Sequence, residues 1–142
     1  MAKCYKEVLM NKRFIPFSGN LGTEVAFSDA VEVSARDVRR VIYVSGMVAV
    51  DEAGNAVGKE DMKAQTRRAL ENVQSALGKL SATMDDIVKV TVFVTDLSRF
   101  KEIHEVRREF FKKGAYPAST LVKVAGLVHE DLMIEIEAVA MV

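Results

Sequence analysis

The chain has 142 residues, with 20 basic and 20 acidic side chains, a formal charge of zero and a pI near 6.7. Hydrophobic residues make up 49% and charged residues 28%, the balance of a soluble globular protein large enough for a real core. A neutral chain whose basic residues come in scattered pairs (Lys12-Arg13, Arg39-Arg40, Arg67-Arg68, Arg107-Arg108, Lys112-Lys113) has no field to draw in nucleic acid, and those pairs read as solvated positions.

The one cysteine, Cys4, excludes an intrachain disulfide and a thiolate zinc centre. No apolar run approaches the roughly 18 residues of a membrane span, and the N-terminus lacks the apolar core of a signal peptide. The expectation is a single domain over residues 1–142, cytoplasmic, with neither a membrane nor a nucleic acid as partner.

In chain order, Val8-Leu9-Met10 reads as the start of an edge strand, and Pro16, Gly19, Asn20 and Gly22 punctuate a loop. Residues 27–33 and 41–45 read as a hairpin, joined by polar residues 34–40 and closed by Gly46. Residues 51–55 are a turn built of acids, Asn and Gly. A helix is predicted from about 59 to 80, with Ala69, Leu70, Val73, Ala76, Leu77 and Leu80 at helical spacing. Residues 87–94, nearly all β-branched or aromatic and apolar on both faces, predict a central strand. A second helix opens at Asp96 and buries Phe100, Ile103, Val106, Phe110 and Phe111. Gly114 and Pro117 stop it.

The last quarter reads as two strands, 119–124 and 132–140, joined by a short turn. In the second, Leu132, Ile134, Ile136, Ala138 and Ala140 alternate with Met133, Glu135, Glu137, Val139 and Met141. One face is aliphatic. The other sets two carboxylates roughly 7 Å apart on one side of a sheet. The sum is an α+β fold: one mixed sheet of about six strands with two helices packed on one face. The uncovered side then carries Tyr43, Thr91, Phe93, Glu135, Glu137 and Val139. A face so mixed is most simply buried by self-association, as a closed homo-oligomer with clefts at its boundaries.

Val44-Ser45-Gly46, Thr91-Val92-Phe93-Val94-Thr95-Asp96-Leu97, Phe110-Phe111, Tyr116-Pro117-Ala118-Ser119 and Ile134-Glu135-Ile136-Glu137-Ala138-Val139-Ala140 resemble, in order, the RidA/YjgF family. The resemblance runs from about Phe27 to the end. It implies a chorismate-mutase-like fold and a homotrimer with a small-molecule cleft at each subunit interface. It implies hydrolysis of reactive enamines and imines to ammonia and a 2-keto acid, without metal or cofactor. Glu135 matches the family's catalytic acid, which positions and activates water, and Ser45 and Gly46 match ligand-binding positions.

Other positions depart from the family. Its Pro-Ala-Arg-Ser-Cys motif stands here as Pro117-Ala118-Ser119-Thr120-Leu121. Ser119 thus replaces the arginine that grips the substrate carboxylate, and Leu121 the cysteine. Phe27 falls on a pocket tyrosine and His104 on an asparagine of the second helix. A guanidinium pairs bidentately with a carboxylate and a hydroxyl does not. Losing such a charge-assisted pair costs on the order of 2–5 kcal/mol. The expectation is a pocket that keeps its acid and has lost its anion anchor.

Each candidate also has a plainer reading. Glu135 is a catalytic acid/base or an interface carboxylate, and Glu137 pairs with a nearby Lys or Arg. His104 is a pocket donor or, preferred, a surface histidine; His129 is solvated. Ser119, His104 and Glu135 admit a Ser/His/acid set, but Ser119 reads better as a polar pocket residue. Phe27 is pocket wall or core. Two rivals to hydrolysis stay open: a non-catalytic metabolite binder on the same scaffold, and a ribonuclease or translation inhibitor, against which the zero charge argues.

Overall fold

The computed structural model describes residues 11–142. The edge strand expected at Val8-Leu9-Met10 lies outside the described residues. The elements are β1 (Lys12–Pro16), β2 (Ser28–Val33), β3 (Val41–Val48), α1 (Met62–Gly78), β4 (Ile87–Val94), α2 (Phe100–Phe110), β5 (Ala118–Lys123) and β6 (Ile134–Met141). The strands form one mixed six-stranded sheet in the order β1-β2-β5-β4-β6-β3. The α+β class, the sheet of six and the two helices agree with the sequence.

Strand pairing does not. Residues 27–33 and 41–45 are no hairpin: β2 lies between β1 and β5, while β3 pairs with β6 at the far edge. The aliphatic side of β6 has two neighbours to satisfy. Ile42 and Val44 of β3 stand opposite Ala140 and Ala138 on one flank, and Val90 and Val92 of β4 serve Ala138 and Ile136 on the other. The last two strands are likewise not partners. α2 carries the chain over to a parallel β5 on one side of β4, so β6 must take the other. Among the described residues the edge strand is β1, Lys12–Pro16, which takes in Pro16, expected to punctuate a loop. Pro16 is tolerated at its end, where the register shifts.

β4 is central, as its composition predicts. Val90, Val92 and Val94 join Ile134, Ile136, Ala138 and Ala140 under Ala69, Leu70, Val73 and Leu77 of α1 and Ile103 and Val106 of α2. Each fully buried aliphatic side chain contributes about 1.5–3 kcal/mol. Asp61 caps α1, its carboxylate accepting the Ala64 N–H at 2.9 Å. The helix stops at Gly78, two residues early, because Ser81 turns left-handed (φ 55°) and the Ala82 N–H closes on the Leu77 carbonyl at 3.0 Å. Leu80, expected on the buried stripe, is therefore exposed. None of the described helices is long and apolar enough to cross a membrane.

Candidate functional site

The acid of the final strand sits where its alternation puts it. Glu135 stands opposite Phe93 of β4 and Val48 of β3, on the side of the sheet the helices leave uncovered. β3 does not end at Gly46 as expected. It continues to Val48 through a bulge, the register shifting between Val44 and Met47. The bulge lays Gly46 directly on the carboxylate: a Cβ there would lie 1.9 Å from Glu135 Oε1. Only glycine allows that approach. Ser45 and Gly46 are both exposed beside a half-buried Glu135. Glu137 lies on the same face near Lys89, but the lysine donates to Thr120 Oγ1 at 2.7 Å, so the expected ion pair is not made. Tyr43 on this face is 80% exposed, and Val41 and Val122 are exposed as well.

Ser119 and Leu121 point the other way. They are in register with Val90 and Val92, whose side chains lie under the helices. There they meet α2. His104 is 1% exposed, which corrects the surface reading. Its Nδ1 accepts the Ala26 N–H at 3.0 Å, and Phe100 packs edge-on at 4.4 Å. Phe27 lies 5.8 Å away between ring centroids and packs tilted against Phe17 at 4.7 Å, forming one wall of a cavity of ≈ 450 Å³ that Ser28 and Tyr116 also line. Burial, helped by Arg107 and Arg108, pulls the His104 pKa down to about 3. The ring is therefore neutral at pH 7, with its proton on Nε2, opposite the accepting Nδ1. His129, by contrast, is exposed, as expected.

Arg107, read from sequence as a solvated helix residue, is also 1% exposed. Its Nη1 donates to Ser119 Oγ at 3.1 Å. Burial lowers its pKa to about 10, which still leaves it charged at neutral pH. Two buried donors on α2, His104 Nε2 and Arg107 Nη2, have no hydrogen-bond partner. Each such orphan costs about 1–3 kcal/mol, more when charged.

The candidates therefore fall into two clusters on opposite faces of the sheet. Glu135, Ser45 and Gly46 make one; Ser119, Leu121, His104 and Phe27 make the other, with Arg107 added. A Ser/His/acid set of Ser119, His104 and Glu135 within one chain is ruled out, since the sheet separates the acid from the other two. No group of three or more His, Cys, Asp or Glu among the described residues is arranged to hold a metal ion.

The family model described as Endoribonuclease L-PSP matches residues 19–142. The chain belongs to the RidA/YjgF family. A RutC family protein of Pyrococcus abyssi is 36% identical over 114 residues, 80% of this chain and 84% of that one. The Rid-family protein YyfB of Yersinia pestis superposes with a TM-score of 0.81 at 29% identity, covering 94% of this chain and all of that one. RidA from an Antarctic Psychrobacter superposes at 0.67 with 30% identity, over 91% of this chain and 94% of that one.

Against the RidA/YjgF motif, Arg107 is the residue sequence reasoning missed. The signal was there: Phe100, Ile103 and Arg107 fall on one helical face at spacings of three and four, so a cation stood inside the apolar stripe. A basic side chain in that position either snorkels out or serves a buried purpose.

Proposed function

We propose that this RidA/YjgF-type chain assembles as a homotrimer with small-molecule clefts between subunits, and that it hydrolyses a reactive enamine or imine there. Glu135 directs water onto the carbon of the C–N bond, general acid–base help of this kind contributing about 10²–10⁴-fold. The observation that carries this reading is the division of the candidates by the sheet. An acid cradled by Gly46 on the open face and a buried polar cluster at Ser119 on the other are half-sites that only a second copy can complete. The exposed Tyr43, Val41 and Val122 around the first half-site support such an assembly.

The test is sedimentation for the trimer, followed by ammonia release from imino acids generated in situ by an amino-acid oxidase. Faster release than the buffer control, lost in a trimeric Glu135→Gln, is the expected result. A trimer that is inert, yet gains melting temperature with a metabolite, supports the second reading, a non-catalytic binder. A ribonuclease, the activity in the family model's description, comes third, because a chain of zero net charge lacks the phosphate-neutralising surface RNA needs.

A further inference from the structure

Thr120 of β5, Thr91 of β4 and Glu137 of β6 form one row across the open face, each in register with the next. The acid is exposed at one end of the row. A cation is held at the other end. Lys89, two residues before Thr91 on the same face, leans away from β6 and donates to Thr120 Oγ1 at 2.7 Å. Thr120 and Glu137 are two strand spacings apart, about 9–10 Å. Lys89 feels the charge of the acid but does not meet it, and partial burial with Arg107 nearby lowers its pKa. Among the described residues Glu137 makes no hydrogen bond or ion pair. Phe93, Val122 and Val139 give the row an apolar surround.

A second copy of the chain is the occupant proposed for this face, and covering it strips both ions of water. A charge desolvated without a partner is strongly destabilising. The layout of the row supplies the partner: the cation lies on the β5 flank and the anion on the β6 flank. Opposite charges on two flanks of one face suit a head-to-tail contact, in which one flank of a copy meets the other flank of the next. The same contact serves the two half-sites, since Glu135 and Gly46 lie towards the β3 end of the sheet and Ser119 and Phe27 towards the β2 end.

We propose that Glu137 of one copy pairs with Lys89 of the next, and that this pair sets the register in which the two half-sites meet. Thr120 is the positioning residue: it holds the ammonium on the flank that faces the neighbour. A pair made within one chain would need Lys89 to give up Thr120 and swing back towards β6. Between copies the pair also rejects other registers, because a shifted contact leaves both ions desolvated and alone. The pairing rests on the assembly proposed above and is independent of the reaction.

The experiment is sedimentation velocity on the full chain at micromolar concentration. Lys89→Glu and Glu137→Lys should each stay folded by circular dichroism but sediment as protomers, since like charges then face each other. The double variant Lys89→Glu with Glu137→Lys should recover the trimer. An equal mixture of the two single variants should also reassemble, more weakly than wild type, because an odd-numbered ring keeps one like-charged contact. A pair within one chain allows rescue by the double variant but none by mixing. If charge reversal unfolds either chain, Glu137→Gln serves instead and should weaken self-association about tenfold. Single variants, or Glu137→Gln, that assemble as tightly as wild type overturn the pair and leave the trimer standing. So does a mixture that stays dissociated while the double variant assembles. A wild-type protein that sediments as a protomer overturns the assembly, and the pair with it. A trimer governed by these two charges but without ammonia release from imino acids would sink the hydrolase and leave the pair intact.

Discussion

Gly46 and Glu135 are packed so closely that the carboxylate occupies the space a side chain at 46 would need, 1.9 Å from its Cβ. The atoms in the way are the far end of a flexible glutamate, not backbone. Gly46→Ala should therefore be accommodated by a rotation of Glu135, at a stability cost of no more than about 1 kcal/mol. The acid, however, leaves its place. Activity should fall about as far as in Glu135→Gln, while urea unfolding stays close to wild type. A Gly46→Ala protein of full activity would show that the carboxylate's position is immaterial to the reaction.

The histidine on α2 gives a pH prediction. Its folded-state pKa, lowered to about 3, lies below the ordinary value of 6.5. Between those values the unfolded chain binds a proton that the folded chain refuses, so stability rises with pH there. The contribution is complete above pH 6.5 and is lost as the pH falls towards 3. At pH 5 the loss is roughly 2 kcal/mol. His104→Asn keeps an acceptor for the Ala26 N–H and removes the titration. Its unfolding free energy should drop less between pH 7 and pH 5 than that of the wild type, by about that amount. Parallel pH curves for the two proteins would contradict the burial of a neutral ring.

Tyr43, 80% exposed in the isolated chain, stands on the open face with Val139 opposite it on β6. In the proposed trimer this face is covered. Tyr43→Glu places a charge there and should leave the chain folded but dissociated at micromolar concentration, as read by sedimentation velocity, since like charges buried together are strongly unfavourable. Unchanged trimer would mean that the subunits meet on another surface. A wild-type protein that sediments as a lone protomer would remove the cleft altogether.

A control separates stability from function. Asp61 caps α1 through the Ala64 N–H and is a member of neither cluster. Asp61→Ala should cost about 1 kcal/mol in urea unfolding and leave turnover untouched. A loss of turnover equal to that of Glu135→Gln would mean that activity tracks global stability, and the site variants could not then be interpreted residue by residue.

Much of this was already legible in the chain. Glu135 declared itself by alternating with aliphatic residues along a strand, and residues 87–94 by being apolar on both sides. Arg107 did not. The helical stripe tells which face of α2 is buried, but not where a long side chain ends, and the hydroxyl that holds it lies 12 residues further on, across a crossover. His104 was read as surface for the same reason, since its acceptor contact comes from Ala26, 78 residues away in sequence.

The amino-acid order alone determined the class of fold, the identity of the central strand, the two helices and the place of Glu135 on the polar face of the last strand. All of these depend on periods of 2 and 3.6 residues, which are properties of neighbours in the chain. The tertiary structure alone decided which strands pair, that Glu135 and Ser119 lie on opposite sides of one sheet, and that a guanidinium from α2 reaches the position where the strand carries only a hydroxyl. Those outcomes depend on which distant faces can bury one another, and no local pattern encodes that.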